Sequence, residues 1–338
     1  MDSRTHKKIH FLEPIRLPDI LQKRIQRAAQ IQWVKNWMRL DTTFTIDFRP
    51  VGPPDLSIFL QKFRPFHQRL ANPQRNSWYF QNIIVNCLHS GWQEARVPIY
   101  FVLEALQLFL QIIPVQKSTF WIYLTDLPRI IPSIIHPEGA PRILQMEPSG
   151  STWGQEVYIT RREDIIRLLL HELVHLTGLD KSLGYKLSCQ WDIDPPTLNP
   201  SEAYAEMMAI VWKCCYLSNY LPLSLEKMFT LELLYSFYLC SQLLHHLDYD
   251  RPEDFFQDRK NPTRATIPIW EYILLRTLLM CHLDTFLETF PYKYDPGYIY
   301  GLITPDIYFL SVLNQIYPLK VESVFSYSLL QIDWKNIV

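Results

Sequence analysis

The run His171-Glu172-Leu173-Val174-His175 sets two imidazoles four residues apart. On a helix this spacing puts both rings on one face, one turn apart, where both can reach a single zinc ion. Glu172 lies about a quarter-turn round the same helix, placed to take a proton from a zinc-bound water. Hydrolysis is the chemistry such a set supports. Leu168-Leu169-Leu170 precede the run and Leu176 follows it, so the two histidines and Glu172 are the only polar groups in an apolar stretch. Burying three polar side chains without partners is costly, which favours a metal there. The alternative is a core helix whose histidines hydrogen-bond to backbone carbonyls.

Two routes lead to a third ligand. The extended pattern H-E-x-x-H-x-x-G-x-x-H is matched through Gly178, but Lys181 stands where its third histidine belongs. An ammonium group cannot ligate, and Asp180 is one position out of register, as a loop or cap residue would be. The second route is a downstream helix beginning Asn199-Pro200-Ser201-Glu202-Ala203-Tyr204-Ala205-Glu206. Glu202 and Glu206 are one turn apart, so one can bind the metal while the other orients a ligating histidine. Ala203 and Ala205 are small enough to let this helix lie close to the first. Asn199, Pro200 and Glu202 also compose a helix-start signature, in which case Glu206 is the ligand.

With these residues the chain resembles the gluzincin group of zinc metallopeptidases, in which H-E-x-x-H is completed by such a glutamate. The Glu202-Ala203-Tyr204-Ala205-Glu206 segment is similar to the E-x-[FY]-A-E of lethal-factor-like catalytic domains. The resemblance covers about Gly154 to Trp212. It implies a zincin-like core and one zinc ion held by His171, His175 and Glu202, with Glu172 as general base and Glu206 in the outer shell. It also implies peptide or protein substrates. The tyrosine that precedes the ligand glutamate in lethal-factor-like domains has no match, since Asp194-Pro195-Pro196-Thr197 occupies that stretch. Tyr185, or His245 and His246, are the alternatives for stabilising an oxyanion, set against purely structural roles for each.

Several elements must position these groups. Ser118 to Thr125 and Gln155 to Thr160 have strand composition, separated from each other in part by a loop over 147–154. The second strand is expected beside the site, either holding an extended peptide by main-chain hydrogen bonds or serving as an ordinary edge strand. The motif helix is expected over Arg161 to Thr177, started by a Thr160/Glu163 capping box with Asp164 in its first turn and stopped by Gly178 as a left-handed C-cap. The glutamate helix runs from Asn199 or Ser201 to about Tyr216. Upstream, the pattern predicts a helix over Pro18 to Leu40, a loop-rich passage over 41–77, and two helices within Trp78 to Ile113 broken near Gly91 and Pro98. Downstream helices are expected at Ser224–Leu247, Thr266–Phe290 and Pro305–Tyr317. The fold class is α+β and predominantly helical, with a helical region at 1–117, the zincin-like core at 118–218 and a helical region at 219–338.

Composition narrows the function further. With 33 basic and 34 acidic side chains, no global field recruits nucleic acid or an anionic membrane. Residues 1–49 carry ten Lys or Arg against five Asp or Glu, the balance of a solvated helix face. The longest apolar windows all contain charges or amides, so core helices are expected and no membrane span. Six dispersed cysteines without a C-x-x-C pair fit buried thiols in a reducing, intracellular and cytoplasmic setting. No glycine-rich phosphate loop occurs. The expected activity is a zinc metallopeptidase. The alternative is a structural or interaction protein that retains the zincin core, its helical regions offering surfaces to protein partners.

Overall fold

The computed structural model describes residues 10–38, 46–63, 70, 72–125, 133–146, 148–257, 259–290, 296–319, 326–327 and 329–330. Along the chain come α1 (Asp19–Gln30), α2 (Gln32–Met38), β1 (Arg49–Val51), α3 (Leu56–Lys62), β2 (Gln74–Phe80), β3 (Ile83–His89), α4 (Trp92–Ile112) and β4 (Ser118–Tyr123). Then follow β5 (Ser133–Ile135), β6 (Arg142–Gln145), β7 (Gly150–Trp153), β8 (Glu156–Ile159), α5 (Ile165–Thr177), β9 (Leu187–Ser188), β10 (Thr197–Leu198) and α6 (Pro200–Leu217). The remainder is α7 (Leu225–His246), α8 (Pro252–Gln257), β11 (Thr263–Ala265), α9 (Arg276–Met280), α10 (Leu283–Thr289), α11 (Pro296–Leu302) and α12 (Ile307–Ile316). The class is α+β. The described residues form two compact units, one drawn from Leu40–Arg129 and Glu147–Gly178, the other from Met1–Arg39, Ile130–Met146 and Leu179–Ile332.

The first unit is built on a six-stranded sheet of order β1-β2-β3-β4-β8-β7. Its strands β1 to β3 lie before residue 118, in the region expected to be helical. The two helices expected within Trp78 to Ile113 are a β2–β3 hairpin and the single helix α4. Ile-Ile-Val-Asn-Cys-Leu at 83–88 is flanked by strands on both sides and buried at nearly every position, so it lacks the polar alternation that marks a half-exposed strand. Pro98 does not break α4. Proline has no amide to give the carbonyl of Glu94, and the Arg162 guanidinium donates to that oxygen instead. α4 is the crossover between the parallel strands β3 and β4. Among the described helices it alone is long and apolar enough to cross a membrane, and 67% of that stretch is buried within the protein.

Strand alternation divides the sheet into two faces. On one, Trp121, Tyr123 and Tyr158 pack with Phe59 and Phe63 of α3. Lys62 of the same helix pairs with Glu156 at 2.6 Å, and Glu156 also accepts from the Tyr158 hydroxyl at 2.5 Å. These donors outweigh burial and hold the Glu156 carboxyl below its usual range. Val157 and Ile159 face the other way, towards α5, which packs on β7, β8 and α4.

In the second unit α6 is the central helix, buried at 17 of its 18 positions. Trp37 of α2 stacks on Trp212 with ring centroids 5.6 Å apart, and Trp33 donates to the Leu287 carbonyl of α10 at 2.7 Å. The helix expected over Thr266 to Phe290 is a π-helical turn (Glu271–Leu275) running into α9, then a break at Cys281 and His282 before α10. Arg276, which follows the π-helical turn, is fully buried: it donates to the Tyr327 carbonyl and to Ser236 Oγ, and its guanidinium lies 3.9 Å from Glu206. Two small sheets, β11-β6-β5 and β10-β9, complete this unit.

Candidate metal centre

The motif helix α5 starts four residues later than its capping-box sequence suggests. Thr160 extends the strand, its amide and hydroxyl both donating to the Ser149 carbonyl at 2.9 and 3.0 Å. Asp164 then takes a left-handed conformation (φ 59°) and begins the helix. Its carboxylate meets Arg167 at 2.5 Å, both side chains being essentially inaccessible to solvent. The end of the helix is as expected, with Gly178 left-handed at φ 68° and its amide donating to the His175 carbonyl at 3.0 Å.

Within this frame His171 and His175 project from one face, their Nε2 atoms 3.1 Å apart. His171 is buried and His175 is half-buried. Two nitrogens bound to one tetrahedral zinc at about 2.0–2.1 Å stand about 3.3 Å apart, close to the observed separation.

Glu172 is 4% exposed and points to the sheet margin. Thr152 Oγ1 donates to its Oε2 at 2.6 Å and approaches its carbonyl oxygen at 3.2 Å. A methyl group on residue 150 would stand 2.6 Å from Glu172 Oε1, so the bare Gly150 backbone makes room for the carboxylate. Both residues belong to β7, a stretch expected to be loop. β8, the strand expected beside the site as a peptide-holding edge, is internal: β4 pairs on one side and β7 on the other. Among the described strands β7 is the last on this side of the sheet. The amide of Thr160 bonds the carbonyl of Ser149, and the register pairs Ser151 with Tyr158 and Trp153 with Glu156. Bonded pairs alternate along an antiparallel ladder, so the main-chain groups of Gly150 and Thr152 point away from β8.

Glu202 occupies the first turn of α6, as its helix-start signature requires. Asn199 Oδ1 accepts from the Ser201 amide at 3.3 Å, with Pro200 at the first helical position. Asp180, buried, accepts from the Ser201 hydroxyl and ties the loop after Gly178 to this helix start. Glu271 Oε1 accepts from the Asn199 amide at 2.8 Å. Burial pushes the Glu271 carboxyl up to about 7, and the nearby Glu202 charge adds to the rise.

Among the described residues His171, His175 and Glu202 form a group able to hold a metal ion, their ligand atoms all within 4.8 Å of one another. Two imidazoles and a carboxylate are a donor set that suits zinc. Glu206 pairs with Arg276. Lys181 is exposed on a 3-10 turn. Tyr185 is half-buried in the loop before β9. His245 Nε2–H donates to the Tyr317 carbonyl at 2.5 Å and its ring stacks on Tyr317, the placement of a structural histidine, and His246 ends the same helix. Gly150, Thr152 and Glu271 did not stand out in the sequence, and Asp180 was weighed there only as a loop or cap residue. The one signal for the first two is their place directly before an expected strand.

No protein-family model matches this chain, and no solved structure matches it. It is similar to uncharacterized protein R210 of Acanthamoeba polyphaga mimivirus, with 33% identity over 150 residues. That match covers 41% of this chain and 39% of the relative, so the chain spans about two fifths of the relative's length.

Proposed function

We propose that this protein is a zinc-dependent peptidase with a zincin-like core, in which His171, His175 and Glu202 hold one zinc ion and Glu172 is the general base. The observation that carries this reading is the 3.1 Å approach of the two Nε2 atoms beside a buried carboxylate held by β7. Bound zinc supplies an acidified water and a polarised substrate carbonyl. Glu172 then accepts a proton from the attacking water at its carboxylate and passes it to the nitrogen of the leaving amine. The outward main-chain groups of Gly150 and Thr152 suit pairing with an extended peptide. Glu206, beside Arg276, keeps the helix bearing Glu202 fixed against its neighbours. All six cysteines are free, in keeping with work in a reducing intracellular compartment.

The test is metal content together with hydrolysis of a quenched-fluorescence peptide library by the parent and by Glu172→Gln. Retained zinc with hydrolysis abolished in the variant is the expected result. A zinc-loaded parent that cleaves no peptide replaces this reading with that of a non-catalytic zinc protein.

A further inference from the structure

Resting on the reading of Glu172 as the base, we propose that Thr152 is its positioning residue and that β7 places base and substrate together. Thr152 Oγ1 donates to one carboxylate oxygen, Oε2, at 2.6 Å. The other, Oε1, lies where a side chain on residue 150 would be, 2.6 Å from the position of its Cβ. The rotation of the carboxylate is thereby restrained, with Oε2 on the Thr152 hydroxyl and Oε1 over the bare Gly150 backbone. A short charge-assisted hydrogen bond of this kind is about twice as strong as a neutral one, enough to hold the carboxylate in one orientation.

The alternation of β7 gives this contact a second meaning. Gly150 and Thr152 turn their side-chain positions towards α5 and their main-chain groups away from β8. A peptide that pairs with β7 bonds the same two residues that hold Glu172. The Glu172 carboxylate, carried by α5, and a paired peptide are thus both held by the same three-residue stretch of β7. Ser151 and Trp153 point to the opposite face, where Trp153 lies against Tyr158 with ring centroids 5.4 Å apart, and this contact pins the strand in register.

The experiment compares the zinc-loaded parent with Thr152→Val and Thr152→Ser. In protein labelled with 13C-glutamate, the parent minus Glu172→Gln infrared difference assigns the Glu172 carboxylate stretch. We expect Thr152→Val to shift that band and to lower kcat on the peptide library about 10- to 100-fold with KM unchanged. Thr152→Ser, which keeps the donor, restores both. If Thr152→Val does not fold, Thr152→Ala removes the hydroxyl without adding bulk and takes its place. A hydrolysing parent whose hydroxyl-free variant keeps the parental band and kcat overturns the role of Thr152 alone. A parent without hydrolysis overturns the peptidase reading, and with it any base for Thr152 to position.

Discussion

Gly150 and Glu172 are so close that the smallest possible side chain on the first would collide with the second: a methyl group would stand 2.6 Å from Oε1 and 3.1 Å from the Tyr158 carbonyl. The carboxylate can rotate away, whereas the carbonyl belongs to the sheet. Gly150→Ala is therefore expected to fold, to bind zinc through its untouched histidines, and to lose activity about 10- to 100-fold. Zinc stoichiometry and peptide kinetics on the same sample check this. Parental activity would mean that Glu172 need not sit where it does.

Replacing the imidazoles and the two glutamates separates ligand from scaffold. His171→Ala and Glu202→Ala are expected to lower zinc content well below one equivalent. Glu206→Ala is expected to keep its metal but to lose about 3 kcal/mol of stability, because it removes a carboxylate from beside the fully buried Arg276. Metal analysis and denaturant unfolding read the two effects independently. Full zinc occupancy in Glu202→Ala would remove that residue from the ligand set.

Asp164 and Arg167 form a buried ion pair at the start of the motif helix. Truncating one partner leaves the other charged and out of water. Asp164→Ala should cost about 3–5 kcal/mol, and Thr160→Ala, which loses one hydrogen bond to Ser149, about 1 kcal/mol. Unfolding midpoints decide whether the helix start depends on the ion pair, as the structure has it, or on the capping threonine.

Glu271 gives the metal-free protein a pH dependence of definite sign. Its folded-state value, about 7, lies above the ordinary 4.5, so folding favours the protonated form. The stability it contributes is complete below about 4.5 and is lost as pH rises through about 7, with a full extent of about 3 kcal/mol. Glu271→Gln, which keeps an acceptor for the Asn199 amide, should match the parent at pH 5 and exceed its melting temperature at pH 8. Equal melting temperatures at both values would place Glu271 in water.

How much of this was legible in the sequence depended on whether the signal was local. Gly178 as a helix stop and Pro200 at a helix start are decided by backbone geometry over a few residues, and both lie where expected. Thr160 and Glu163 have capping-box spacing, but Thr160 is claimed by a strand partner, Ser149, that local spacing does not reveal. Pro98 looked like a helix break because the group that makes it tolerable, Arg162, is 64 residues away in the chain. β7 was hidden for a related reason. The four residues Gly150–Trp153 have too little length for a periodicity, and only pairing with β8 makes them a strand.

That short strand also makes register a functional variable. Sliding β7 by one residue along β8 exchanges its two faces. Glu172 would then meet Ser151 or the indole of Trp153 in place of the Thr152 hydroxyl, and the space left by Gly150 would be carried to the wrong side of the sheet. An insertion or deletion within 148–154 would thus inactivate the site while every proposed ligand and the base remained in the sequence. A search for relatives of this protein that retain chemistry should count residues between Gly150 and the strand that follows before it looks for histidines.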